Sequence, residues 1–157
     1  MGLLAIYSKL KEVESRTGKL YSLVSAKIAT SYPAISILFR KLADDEIMHE
    51  KEIEMSKKFF MENKEIFFGK EDAEQILDQI FNKIDTINKY FLEHLENLAP
   101  DKLLDMAANL EWEMESRHHS FYVNCNDEGI KNLMENLSNK DNAHKKLITY
   151  MSKTGKT

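Results

Sequence analysis

The stretch Leu42-Ala43-Asp44-Asp45-Glu46-Ile47-Met48-His49-Glu50-Lys51-Glu52-Ile53 decides the fold. Leu42, Glu46, His49 and Ile53 are separated by four, three and four residues, so they share one face of a helix. The same face continues through Ile35 and Phe39 upstream and to Phe60 downstream. A carboxylate and an imidazole therefore interrupt a stripe that otherwise seeks a core. A buried, unpaired carboxylate is costly, or its pKa shifts until it is neutral.

The pattern returns near the end of the chain. Leu137, Asn139, Asp141, His144, Lys146 and Ile148 match Leu42, Asp44, Glu46, His49, Lys51 and Ile53. A second pair of segments also matches without gaps. Glu12-Val13-Glu14-Ser15-Arg16, then Tyr21, stands against Glu113-Met114-Glu115-Ser116-Arg117, then Tyr122. Glu14 lies on the seam Leu10, Glu14, Thr17, Tyr21, Val24. Glu115 lies on the seam Leu104, Ala108, Glu111, Glu115, His118, Tyr122. Four helices thus each carry a carboxylate in mid-seam, and four at one depth call for a multivalent cation.

Pro and Gly divide the chain. Helices are expected from Leu3 to about Thr30, Pro33 to about Asn63, Glu71 to Asn97, Pro100 to about Asn124 and Gly129 to about Lys153. A loop falls at Phe67-Phe68-Gly69 and a turn at Asn126-Asp127-Glu128-Gly129. The third helix has an apolar seam (Leu77, Ile80, Ile84, Ile87, Phe91) and reads as packing. The expected fold is all-α: one domain over 1–157, an antiparallel four-helix bundle of pairs 3–63 and 100–153. Helix 71–97 lies in the long crossover that joins the pairs.

Bulk properties narrow the function. The 157 residues carry a net charge of −4 with no long basic block, which argues against nucleic acid. No apolar run approaches a membrane span, and no signal peptide is visible at Met1-Gly2-Leu3-Leu4. The single Cys125 excludes an internal disulfide and a Cys-x-x-Cys knuckle, so a cytoplasmic location is expected.

With 26 acidic residues and five His, chance gives about one acid-x-x-His match. Three occur: Glu46/His49, Asp141/His144 and Glu115/His118. Residues three apart on a helix can reach one ion, and carboxylate with imidazole suits Fe, Mn or Zn. Two single Glu residues (Glu14, Glu115) and two acid-x-x-His pairs form the ligand set of di-metal carboxylate bundles.

The chain resembles the rubrerythrin branch of the ferritin-like superfamily, through Glu14-x6-Tyr21 and Ala43-x-x-Glu46-x-x-His49. The resemblance implies two metal ions, iron first with Mn or Zn as alternatives, bridged by carboxylates. It also implies reaction with hydrogen peroxide or dioxygen, in a homodimer or larger homo-oligomer. Rubrerythrins proper add a rubredoxin module with two Cys-x-x-Cys knuckles. These residues hold none, so an external electron donor is expected. Asp141 stands where the family has Glu. His118 stands where the family adds a Glu, with Glu111 one turn away on the other side.

The expected ligands are Glu14, Glu46, His49, Glu115, Asp141 and His144, against a buried ion-pair network. His118 is a ligand or a ligand's neighbour, and Glu111 a ligand or one half of an ion pair. Tyr21 and Tyr122 are core aromatics or hydroxyls that orient carboxylates; His94 and His119 read as surface or packing. Ferroxidase chemistry and a non-catalytic metal-binding scaffold are the alternative functions.

Overall fold

The computed structural model describes residues 3–57, 73–94, 97–124 and 128–154, all helical or connecting, with no strand among them. The helices are α1 (Leu3–Ile28), α2 (Pro33–Met55), α3 (Ala73–Glu93), α4 (Pro100–Asn124) and α5 (Glu128–Thr154). They form a ferritin-like helical bundle.

α1 stops because the residue before a proline is pushed out of the helical region. Tyr32 has φ −140° and ψ 70°, and Pro33 fills the first turn of α2, where its missing N–H is no loss. Beside this turn the Ser25 hydroxyl donates to the Ser36 carbonyl and the Ser36 hydroxyl to the Ser25 carbonyl, both at 2.8 Å. At the far end of the pair the Tyr7 hydroxyl donates to Glu54 at 3.1 Å. α1 and α2 are therefore antiparallel along their whole length.

α2 is continuous to Met55, and the Ser56 N–H still reaches back to the carbonyls of Glu52 and Ile53, with its hydroxyl on Glu52 as well. The expected continuation to Asn63 lies, beyond residue 57, outside the described residues. The expected Gly69 loop and the first residues of the third helix lie outside the described residues.

α3 gives the bundle its direction. Lys9 meets Asp78 and Arg16 meets Asp85, so α3 runs parallel to α1. Arg117 meets Gln79 and Lys83 meets Glu113, so α3 runs antiparallel to α4. α3 carries the chain back along the bundle before α4 begins, which leaves α2 and α4 pointing the same way. Its buried residues Leu77, Ile80, Ile84 and Phe91 cover the side formed by α1 and α4. His94 sits at its end, exposed and stacked on Tyr90 with centroids 4.2 Å apart.

The apolar core continues on both sides of Glu14, through Tyr7 and Leu10 one way and Tyr21 and Val24 the other. Between them α1 comes unusually close to α2. A Cβ on Gly18 would lie 3.2 Å from the Glu46 Cβ and 3.5 Å from the Ala43 carbonyl oxygen. Glu46 is fully buried and has no room to retreat. Gly18→Ala is therefore expected to forfeit the helix-propensity gain of about 1 kcal/mol. Gly18→Val should destabilise by about 1–3 kcal/mol through overpacking, read as a lower urea midpoint at unchanged m.

Candidate metal centre

Seven ionisable side chains converge in the middle of the bundle. Glu14 (α1), Glu46 (α2), Glu111 (α4) and Asp141 (α5) expose no surface, and His49, His118 and His144 expose 3% or less. Each lies on the inward face of a helix whose neighbours on that face are apolar, so burial of the apolar stripe drags the polar groups in with it.

The contacts obey an approximate twofold relation between the α1/α2 and α4/α5 pairs. His49 Nδ1 lies 3.3 Å from Glu14 and 2.9 Å from Glu46. On the other side, His144 Nδ1 lies 3.2 Å from Glu111 and 3.4 Å from Glu46. The two imidazoles stack across the axis with centroids 5.4 Å apart and planes 18° from parallel. Tyr21 donates its hydroxyl to Glu111 Oε1 at 2.6 Å, and its counterpart His118 places Nε2 3.3 Å from Glu14 Oε1. His118 Nδ1 also hydrogen-bonds Asp141 Oδ2 at 2.6 Å.

Two groups of three have ligand atoms within 4.8 Å of one another: Glu14, Glu46 and His49, and Glu46, Glu111 and His144. Glu46 belongs to both. Glu14 Oε1, Glu46 Oε1, His118 Nε2 and Asp141 Oδ1 are buried without a hydrogen-bond partner. Buried acceptors left in that condition fit a cation, and two dications would balance the four carboxylates with neutral imidazoles. The donor set, all oxygen and imidazole nitrogen, suits a first-row transition metal. These groups point to a di-metal site.

Proton affinities show how the cluster manages without a cation. Burial favours neutral Glu46, and the charge of Glu14 adds to it, so its pKa rises well above the carboxylate range. Burial also pushes Asp141 up, to about 7, against the pull of His118. Burial opposes charge on His49 and His144. The carboxylates outweigh it and lift His49 to about 10 and His144 to about 11. His118 rises well above its usual value for the same reason. Glu14 goes down: hydrogen bonds from His118 and His49 overcome its burial.

One expected ligand sits elsewhere. Glu115 is about one-quarter exposed and pairs with the Lys145 ammonium, and Glu111 takes the inward place on α4. The reason is local. From Glu111 to His118 the seam can step through residue 114 or 115, and the apolar Met114 is the one fully buried. The ungapped match of Glu14 to Glu115 is therefore one helical turn out of step. Glu14 and Tyr21 correspond in space to Glu111 and His118.

Tyr122 lies on α4, but its side chain is outside the described residues, as is Cys125. Asp45 went unremarked in the sequence. It accepts from His144 Nε2 at 3.3 Å and from Lys41 at 2.5 Å while about one-third exposed. The Lys41/Asp45 spacing of four was the available signal.

The Rubrerythrin family model matches residues 11–152. Comparison with curated proteins and with solved structures returned no match.

The raised values fix a pH dependence. An imidazole at about 10 or 11 when folded, and 6.5 when unfolded, stabilises fully below pH 6.5 and loses that contribution as pH rises toward the folded value. Glu46 acts in the same sense. Chelator-treated protein should therefore show a falling Tm from about pH 7 to 10. Metal-loaded protein should hold its Tm there, because the ions replace the protons. A flat metal-free profile would show that His49 and His144 do not carry the cluster's protons.

Proposed function

The chain belongs to the rubrerythrin family, and from that premise we propose that it is a non-haem di-iron oxidoreductase that reduces hydrogen peroxide. The observation that carries the reading is the pair of buried ligand triads joined through Glu46. Glu14 and His49 would complete the place for one ion, and Glu111 and His144 that for the other. When bound, a ferrous pair supplies the two electrons that cleave an O–O bond.

The protein's part is to hold and exclude. The Tyr21 hydroxyl fixes one oxygen of Glu111 and leaves the other beside His144. Asp45 accepts from His144 Nε2, which keeps Nδ1 turned toward Glu46 and Glu111. The apolar residues on either side of the cluster, Leu10, Val13, Leu42, Leu110, Met114 and Leu137, keep water out. Asp45 is about one-third exposed and touches His144 of the cluster. That position supports the second reading, a ferroxidase to which Fe(II) comes as substrate.

Reduction of peroxide to water consumes two electrons and two protons. No Cys-x-x-Cys knuckle lies within these 157 residues, so in this reading the site is re-reduced by a donor outside them. Ile37, Met48 and Met55 are exposed along one side of α2, with Lys41, Asp44 and Lys51 between them. As a homodimer, the protein should give twice the chain mass by light scattering.

Protein loaded anaerobically with Fe(II) should bind two irons per chain and oxidise faster on mixing with peroxide than with air, followed by stopped-flow absorbance. A faster reaction with air would favour the ferroxidase. Glu111→Gln should weaken one iron by about tenfold or more, whereas Glu115→Gln should leave loading unchanged and cost under about 1 kcal/mol in stability. The reverse order of the two variants would place the ligand at Glu115.

A further inference from the structure

Asp141 and Glu46 hold equivalent places in the two halves, yet their surroundings differ. Glu46 has one oxygen beside His49 and the other beside His144, so it reaches both triads. Asp141 is one methylene shorter and belongs to neither triad. Its Oδ2 is taken by His118 Nδ1 at 2.6 Å, and its Oδ1 is buried without a partner. The other nitrogen of His118 lies 3.3 Å from Glu14 Oε1, so one ring ties α1, α4 and α5 together. Tyr21, the spatial counterpart of His118, likewise occupies one oxygen of Glu111.

We propose that His118 is a positioning residue that occupies one oxygen of Asp141 and so leaves Glu46 as the single carboxylate able to bridge two ions. Asp141 keeps only Oδ1 for a metal and is restricted to one ion. This rests on the di-metal reading above. Two dications repel, and each bridging carboxylate offsets part of that repulsion. A site with one bridge fills in two separated steps, the second weaker than the first.

Anaerobic titration with Co(II), which needs no oxidant, reads both steps and reports coordination through its visible absorption. The wild-type chain should take up two Co(II) in distinct steps. His118→Ala releases Asp141 Oδ2 to bridge, so the second step should tighten by about tenfold and the absorption should change. His118→Gln, whose amide can still donate to Asp141, should keep the wild-type isotherm. Asp141→Asn added to His118→Ala should abolish the gain. Far-UV circular dichroism checks the fold. If His118→Ala does not fold, His118→Leu tests the same point, since it fills the space of the ring and cannot donate to Asp141.

The inference is overturned if His118→Ala, or His118→Leu in its place, leaves both constants and the spectrum unchanged. It is also overturned if His118→Ala loses an ion outright, which would make His118 a ligand. Absence of Co(II) binding by the wild-type chain, with Glu46→Gln no different, would remove the di-metal reading itself and this inference with it.

Discussion

Four carboxylates and three imidazoles are carried to the centre of this bundle by helices that have no other way to bury their apolar faces. Burial of that many ionisable groups is tolerable only if each is answered by an opposite charge or a hydrogen bond. The structure answers most of them internally: His49 between Glu14 and Glu46, His144 between Glu46 and Glu111, His118 between Glu14 and Asp141. Among the buried atoms of this layer without a hydrogen bond, Glu14 Oε1 and His118 Nε2 face each other at 3.3 Å and Glu46 Oε1 lies 3.4 Å from His144 Nδ1, which leaves Asp141 Oδ1 unanswered. The fold is stable enough to carry an incomplete polar layer, and that incompleteness is its chemical capacity.

The rest of the architecture serves this layer. α1 lies close to α2 because Gly18 has no side chain at the level of Glu46. The two serines near the Pro33 turn fix the register of that pair, and a slip of one residue would rotate Glu14 or Glu46 off the seam. α3 makes the return passage, which sets α4 antiparallel to α1 and brings Glu111 to Tyr21 and His118 to Glu14. Without that passage a short connection would have reversed the second pair and lost the twofold relation.

Much of this was legible in the residues. Pro33 and Pro100 marked two helix starts to the residue. The apolar third helix was recognisable as packing because its seam lacks a mid-helix acid. The positions of Glu14, Glu46, His49 and His144 followed from seams in which three- and four-residue steps leave little choice. Glu115 shows where the method fails. Steps of three and four are both compatible with a seam, so Glu111 and Glu115 satisfy the same periodicity, and the ungapped repeat favoured the wrong one. Only the partner helix decides, through Lys145 waiting at the surface and Met114 filling the interior.

The cover supplied by α3 is one-sided. It lies over α1 and α4, while among the described residues no third helix covers α2 and α5 where they meet. Across that seam the Glu52–Lys140 contact joins partly exposed groups, which water can replace at little cost, whereas His144 is buried between Glu46 and Glu111 and stacks on His49. Parting α2 from α5 would break that buried layer, and parting α1 from α4 would expose the apolar face of α3. Through Asp45, about one-third exposed and 3.3 Å from His144, that edge connects the buried layer to solvent.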